Sequence, residues 1–560
     1  MLEPTASQIQ IRDHTARDLL VIAPAGCGKT EALALRVQGL LQRHDIVAPQ
    51  KVLVVTFSNR ARDNIRERLR SYLGTGQLRN YVSVVNFHGL SARIFKAHAN
   101  VIGLSPDLAI PESDWVSTEC RRRNFDFPVS NRVKDALRIA KQEMRNDAEV
   151  QEVLSTNREM AALQLERDRI DSEQLTYDDL PRVAELILSV EPVAELYRSH
   201  FGAVIVDEFQ DLTPQQLRIV NRIGYARTTY GGDLAQGIYG FAGANPTAIQ
   251  AVIRAECSEI VEFAESHRSS PAVLGAVNSL IPLTGGTKLT SADPASWPHG
   301  GLFAIAAFST AEVEAERVAN LANRIAGQVS GHRIAIMART VPRRRFVEGA
   351  LSEIGVEFLR WDDGVLDTDT ARVVRAMLSK FDVDGYNAAA DRVEYLRVAS
   401  GLETIADAAT RESVVDALGW CYEQLREGAA PEDIRSRIRV GDESTLVTMP
   451  GIHVLTGHIG KGQQFDWAII IGAEDGAIPD FRAKTPELQA EEARVLSVMI
   501  SRARHGAIVT YAREVEAQTG KRRPREGSPF FAQLSTANPL RGPTIREWMD
   551  SADWTAIAAR

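Results

Sequence analysis

Two short stretches carry residue types and spacings suited to handling a phosphate chain. In LLVIAPAGCGKTEAL, residues 19–33, an apolar run from Leu19 to Ala23 leads into small residues and then Lys29 and Thr30. Small residues let backbone N–H groups curl around phosphate oxygens, and a helix opening at Lys29 adds its positive end. Lys29 would reach the β- and γ-phosphates, and the Thr30 hydroxyl would sit on Mg²⁺. The general pattern G-x-x-x-x-G-K-[ST] fails only at its first position, where Ala23 stands. The second stretch is AVIVDEFQD, residues 203–211, in which four apolar residues precede Asp207 and Glu208. Asp207 would hold the metal, and Glu208 would orient and deprotonate an attacking water. Each stretch alone has a plain alternative, a chance GKT in a turn or solvated carboxylates where a strand exits. Together they point to an ATPase that uses ATP and Mg²⁺.

The elements that must position these groups are strands. A buried parallel strand reads as a continuous apolar run, and ligands bind outside the carboxyl ends of such strands. Further runs of that kind occur at 301–308, 333–339, 467–473 and 506–513, alternating with helical segments such as EVEAERVANLANRIAG. The alternation predicts an α/β fold with parallel sheets flanked by helices.

At 560 residues the chain exceeds a single hydrophobic core, and roughly three or four domains are expected. The net charge of −8 argues against binding DNA by bulk charge, so any nucleic-acid groove must be locally basic. Arginines within 60–70, the run at 343–345 and KRRPR at 521–525 are the basic stretches, and a solvated face is the plainer reading of each. Four scattered cysteines show neither metal-ligand spacing nor a disulfide framework, which suggests a reducing compartment. The apolar runs are too short to span a membrane, and MLEPTASQIQ lacks the features of a secretory signal. A cytoplasmic protein without membrane partners is expected.

DEFQD is more specific than a generic acidic strand end, and with it the sequence resembles the UvrD/Rep/PcrA-like superfamily 1A DNA helicases. Gln8 precedes the phosphate loop as that family's adenine-reading glutamine does, and APAGCGKT fits the family's own A-x-x-G-x-G-K-T, which makes Ala23 ordinary. VVTFSNRAR (54–62), NFHGL (86–90), GGDLAQGIYGFAGA (231–244), SHRSS (266–270), LTGHIGKGQQFD (455–466) and EEARVLSVMISRAR (491–504) follow in the family's order. IAIMARTVPRRRFVEGAL (334–351) also matches, with Arg339, Arg345 and Glu348 in register.

The resemblance implies two RecA-like P-loop lobes with helical insertions: lobe 1A at 1–105 and 175–264, insertion 1B at 106–174, lobe 2A at 265–374 and 446–560, and a reduced 2B-like helical insertion at 375–445. It implies catalytic roles for Lys29, Asp207, Glu208, Gln236, Arg268 and Arg502, with Arg502 an arginine finger worth about 10³–10⁵ in rate. Gln8, Ala23, Pro24, Ala25, Gly26, Cys27, Gly28, Lys29, Thr30, Glu31, His267 and Gln464 would line the nucleotide, with Thr30 and Asp207 on the metal. Thr56, Phe57, Asn59, His88, Tyr239, Phe241, Thr456 and His458 would line the DNA strand. Base–aromatic stacking at Phe57, Tyr239 and Phe241 would supply about 1–3 kcal/mol per base without regard to sequence.

Departures from the family pattern carry their own expectations. His267 replaces the tyrosine that stacks on adenine, which predicts weaker base discrimination and a pH-dependent nucleotide affinity. Gln464 replaces a glutamate that reads ribose, and Phe241 replaces a tryptophan. Cys27 stands where serine is usual. A thiol near a helix N-terminus and Lys29 would have a lowered pKa, whereas the plainer reading is a small residue tolerated for packing. The expected activity is single-stranded-DNA-stimulated ATP hydrolysis with 3′→5′ movement and unwinding at single-strand/duplex junctions, in repair, replication restart or recombination. The alternative is a translocase or DNA-end sensor that serves a nuclease partner in anti-phage defence. The stretch after Arg504 leaves room for a final strand and a tail, but not for a nuclease domain.

Overall fold

A computed structural model describes residues 3–57, 59–110, 115–238, 244–360, 365–366, 368–402, 408–426, 428–440, 449–457, 463–516 and 522–560, some by backbone alone. Tyr239, Phe241 and His458 lie outside the described residues. The apolar runs form two six-stranded sheets, both wholly parallel. In the first the order is Val82–Asn86, Lys51–Thr56, Phe201–Asp207, Thr228–Gly232, Leu19–Ile22, Ile260–Glu262. In the second it is Phe358–Arg360, Gly451–Thr456, Arg333–Ala338, Phe465–Ile471, Ala503–Ala512, Leu302–Phe308.

Helices cover both faces of each sheet, which is why the strands read as unbroken apolar runs. Every residue of Leu19–Ile22, Phe201–Asp207 and Phe465–Ile471 is buried. Helix Lys29–Gln42 packs Leu33, Ala34, Val37 and Leu40 against one face of the first sheet. The other face is closed by Leu180, Val183, Ile187, Leu217 and Ile219 from helices Asp179–Ser189 and Pro214–Gly224. A capping box from Thr213 to Gln216 and a proline in the first turn start the second of these helices.

Two helical groups have cores of their own. The first runs from Trp115 to Asp171 around Val116, Cys120, Val133, Leu137, Leu154 and Leu165. The second includes Thr368–Ser379 and Arg392–Ala399 and closes around Val374, Leu396, Val414, Leu418 and Ile434. Buried charges fasten the first group to the sheet. Lys141 pairs with Glu166 at 2.8 Å and Asp179 at 2.9 Å, and Arg182 with Asp179 at 2.7 Å and Asp147 at 2.6 Å. Such burial is tolerated only because every charge is paired.

The basic stretches divide. Arg66, Arg68 and Arg70 are exposed, as a solvated face requires. The run at 343–345 corrects the expectation, because Arg343 and Arg344 are buried. Arg343 pairs with Glu314 and, at 2.9 Å, with Glu474; Arg344 pairs with Glu348 at 2.5 Å. Carboxylates 29 and 131 residues away in sequence draw Arg343 inward. Arg522–Pro524 is an exposed strand paired antiparallel with Glu514–Glu516. Among the described residues, no helix is long and apolar enough to cross a membrane.

Candidate active site between the two sheets

The phosphate loop leaves the carboxyl end of Leu19–Ile22, with the Ala23 N–H donating to the Gly232 carbonyl at 2.9 Å. Gly26 and Gly28 adopt φ of +90° and +78°, a region that L side chains enter only with strain. Gly28 caps helix Lys29–Gln42, so Lys29 and Thr30 occupy its first turn. The Gln8 amide donates to the Gly28 carbonyl at 3.3 Å and is itself locked by a capping box with Thr5. This places the upstream glutamine against the turn where the nucleotide would lie.

Phe201–Asp207 delivers its two carboxylates to the same edge. The Lys29 ammonium lies 3.1 Å from Asp207 Oδ1 and also pairs with Glu208. Burial opposes the lysine charge, but the two carboxylates outweigh it and hold its pKa above the usual value. Burial pushes Asp207 up, against the pull of Lys29. Glu208 sits at φ +62°, a left-handed turn that ends the strand and aims its carboxylate into the site. The Gln210 amide donates to Glu208 at 2.6 Å, while its carbonyl accepts from the Asp233 N–H at 3.0 Å. The Gln236 amide donates to Asp233 at 2.9 Å. Asp233, a buried carboxylate that joins Gln236 to Gln210, has no separate sequence signal beyond its place in GGDLAQ.

From the other side come Arg268 and Arg502. The His267 N–H donates to the Gly26 carbonyl at 3.2 Å, which draws Arg268 over the loop. Arg502 ends helix Pro486–Ser501 and donates to the Val498 carbonyl at 3.0 Å and the Ser501 hydroxyl at 2.9 Å. Burial lowers its pKa, as does the Arg268 guanidinium, while Glu208 and Asp233 raise it. Arg502 therefore feels the same carboxylate that Lys29 pairs with. Pro24, Ala25, Asp233 and Gln236 share a cavity with Ser497, Val498 and Ser501 of that helix. Ser269 and Ser270 stitch the 266–270 segment to the second sheet through the Ala503 and His505 carbonyls, at 2.7 and 3.0 Å.

A neighbouring open cleft of about 310 Å³ has Gly26, Gly28, His267 and Arg268 on one side and Arg333, Gln464, Phe465 and Arg504 on the other. The expected His267 and Gln464 are both there. Arg333 and Arg504 were not singled out from sequence; only the parallel order of three strands brings them together.

Two expectations shift. The Glu31 side chain is engaged by the Tyr72 hydroxyl and, at 3.6 Å, by Arg68, both from helix Asn59–Tyr81. Cys27 is buried among Ile11, Val21 and Phe263. Burial, reinforced by the nearby Asp233 carboxylate, pushes the thiol up to about 12, opposite to the activated reading. The packing reading stands.

The residues expected along DNA gather at strand ends. Thr56 closes Lys51–Thr56 and is buried against the Val85 carbonyl at 3.4 Å. Phe57 follows it half-buried, and Asn59 begins the next helix. His88 lies in the first turn of Phe87–His98, edge-on to the half-exposed Tyr177 at 5.6 Å. Thr456 closes Gly451–Thr456 on the second sheet.

Thr30, in the first turn of its helix, and Asp207, at the end of its strand, carry oxygen donors of the kind magnesium takes. Residues 5–255 match the UvrD/REP helicase N-terminal domain, and residues 435–514 match the UvrD-like helicase C-terminal domain. The chain is 25% identical over 574 aligned residues to ATP-dependent DNA helicase UvrD2 of Mycobacterium bovis, covering 94% of this chain and 81% of the relative. It is 29% identical to ATP-dependent DNA helicase PcrA of Leuconostoc citreum and 28% identical to DNA helicase II of Haemophilus influenzae. These two alignments cover 49% and 47% of this chain and 38% of each relative. With two parallel lobes facing one phosphate loop and both family domains matched in order, the chain belongs to the UvrD/Rep/PcrA-like family of superfamily 1 helicases.

Proposed function

We propose that this chain is an ATP-dependent DNA helicase whose two lobes convert ATP hydrolysis into 3′→5′ movement along single-stranded DNA. The observation that carries the reading is the shared cavity: Glu208 pairs with Lys29 from the loop, and the helix that Arg502 ends lines one cavity with Pro24, Ala25 and Gln236. In this reading Lys29 neutralises the β/γ-phosphates, and Glu208 accepts the proton of the attacking water. Gln236, held on Asp233, sits beside the γ-phosphate. Arg268 and Arg502 spread positive charge over the equatorial oxygens of the transition state. Thr30 and Asp207 would hold Mg²⁺, which supplies charge neutralisation to the phosphates when bound. The Lys29 and Arg502 groups come from different lobes, so closure completes the site and product release relaxes it.

DNA would cross the strand ends that carry Thr56, Phe57, Asn59, His88 and Thr456, with Tyr239, Phe241 and His458 completing the channel. The direction rests on the family, and the proposed setting is repair, replication restart or recombination, at single-strand/duplex junctions. A second reading is favoured by the small helical group around Val374, Leu396 and Val414, if the expected insertion at 375–445 is a reduced 2B. There the chain translocates or senses DNA ends for a nuclease partner and unwinds little. A strand-displacement assay run beside a translocation assay on the same substrate separates the two. Displacement at the translocation rate supports the helicase; translocation without displacement supports the sensor.

A further inference from the structure

Arg504 follows the finger residue by two positions but faces a different space. Its side chain is 40% exposed and lines the 310 Å³ cleft opposite Gly28 and His267. Arg333, at the start of its own strand, lines the cleft beside it. One buried carboxylate stands behind both: Asp466 accepts from the Arg333 N–H at 2.8 Å and faces Arg333 Nε at 3.4 Å and Arg504 Nη1 at 4.0 Å. Below Asp466 the His332 and His505 rings stack at 4.9 Å. Burial lowers both imidazoles, His505 to about 3, so neither competes with the arginines for Asp466 at neutral pH.

These imidazoles and Asp466 bring ligand atoms within 4.8 Å of one another, but the group is a packed floor rather than a cation site. The Trp467 indole N–H donates to His332 Nδ1 at 3.2 Å, which occupies that lone pair and leaves the proton on Nε2. Two guanidiniums already face the carboxylate, and a divalent ion would meet their repulsion.

Among the described residues the cleft has three arginines and His267 in its lining and no carboxylate. Gln464 keeps it so, since a glutamate there would supply a counter-charge to Arg504. A guanidinium anchored at its back and open in front offers planar donors to ring nitrogens and carbonyls, and a flat face to an aromatic base. We propose that Arg504, seated on Asp466 beside Arg333, grips the nucleoside end of a purine nucleoside triphosphate from the second lobe and sets nucleotide affinity and base choice. The proposal deepens the reading above and rests on it for the phosphate end of the site. Guanine O6 and N7 match a bidentate arginine, so GTP is bound at least as well as ATP.

Isothermal titration of the full chain with ATPγS and GTPγS tests this without turnover. Arg504→Ala, at an exposed position, weakens both ligands about tenfold or more with an unchanged melting midpoint. Arg504→Lys restores part of the ATPγS affinity but not the GTPγS affinity, because lysine keeps the charge and loses the fork. Wild-type affinity for both ligands in Arg504→Ala overturns the proposal, as does full restoration of GTPγS binding by lysine. A chain that binds ATPγS in this Arg504-dependent way yet never hydrolyses ATP would sink the motor reading and leave the present one standing. A wild-type chain that binds neither ligand removes both.

Discussion

Arg268 lies over Gly26 so closely that a Cβ built on that glycine would stand 2.8 Å from the Arg268 Cβ. At Gly26 the phosphate loop and the 266–270 segment are in contact, with no room for a Cβ. A side chain at position 26 must therefore displace a residue of the opposing wall.

Gly26→Ala follows directly. The substitution meets the positive φ of +90° and a 2.8 Å contact with Ser266 Oγ as well. The left-handed strain alone is about 1–2 kcal/mol. Calorimetry with ATPγS should show weakened binding and melting should show a lowered midpoint. Unchanged affinity would mean that Arg268 does not depend on the loop for its place.

Cys27 is expected to resist modification. Its thiol is pushed up to about 12 and is buried, so almost none is thiolate between neutral pH and pH 9. Iodoacetamide at pH 8 should label Cys27 only after denaturation, as read by peptide mass spectrometry, and native ATPase activity should survive. Rapid inactivation that bound nucleotide prevents would restore the activated-thiol reading.

Asp179 couples stability to pH. Burial opposes its charge, but Lys141, Arg182 and Arg169 hold its pKa well below the ordinary 3.8. A carboxylate with a depressed folded pKa stabilises the fold above its unfolded pKa, and that contribution is lost as pH falls through the folded value. Asp179→Asn leaves buried cations without their counter-charge and should cost about 3–5 kcal/mol. Urea melts at pH 7 should show the loss, and the variant should lack the wild type's added decline below about pH 4. Equal midpoints at pH 7 would show that the ion network is not what fastens the helical group.

How much of this was written locally in the sequence depends on how far apart the partners lie. The phosphate loop was legible because its requirements are local: a strand, small residues, then a helix N-terminus at Lys29. The parallel sheets were legible because burial on both faces produces apolar runs such as WAIII. Arg343 was not, since the burial of that run depends on Glu314 and Glu474 from other elements. The cleft wall of Arg333, Asp466 and Arg504 was hidden for the same reason, because adjacent strands bring together residues 133 positions apart. At Cys27 burial and Asp233 push the thiol up, where a helix N-terminus alone would lower it.

The most direct measurement is ATP turnover with and without single-stranded DNA for wild type, Lys29→Ala and Arg502→Ala. The account predicts strong DNA stimulation in wild type and none in either variant, with Arg502→Ala losing about 10³-fold or more in rate. DNA stimulation that survives Arg502→Ala would contradict the claim that hydrolysis needs a group from each lobe.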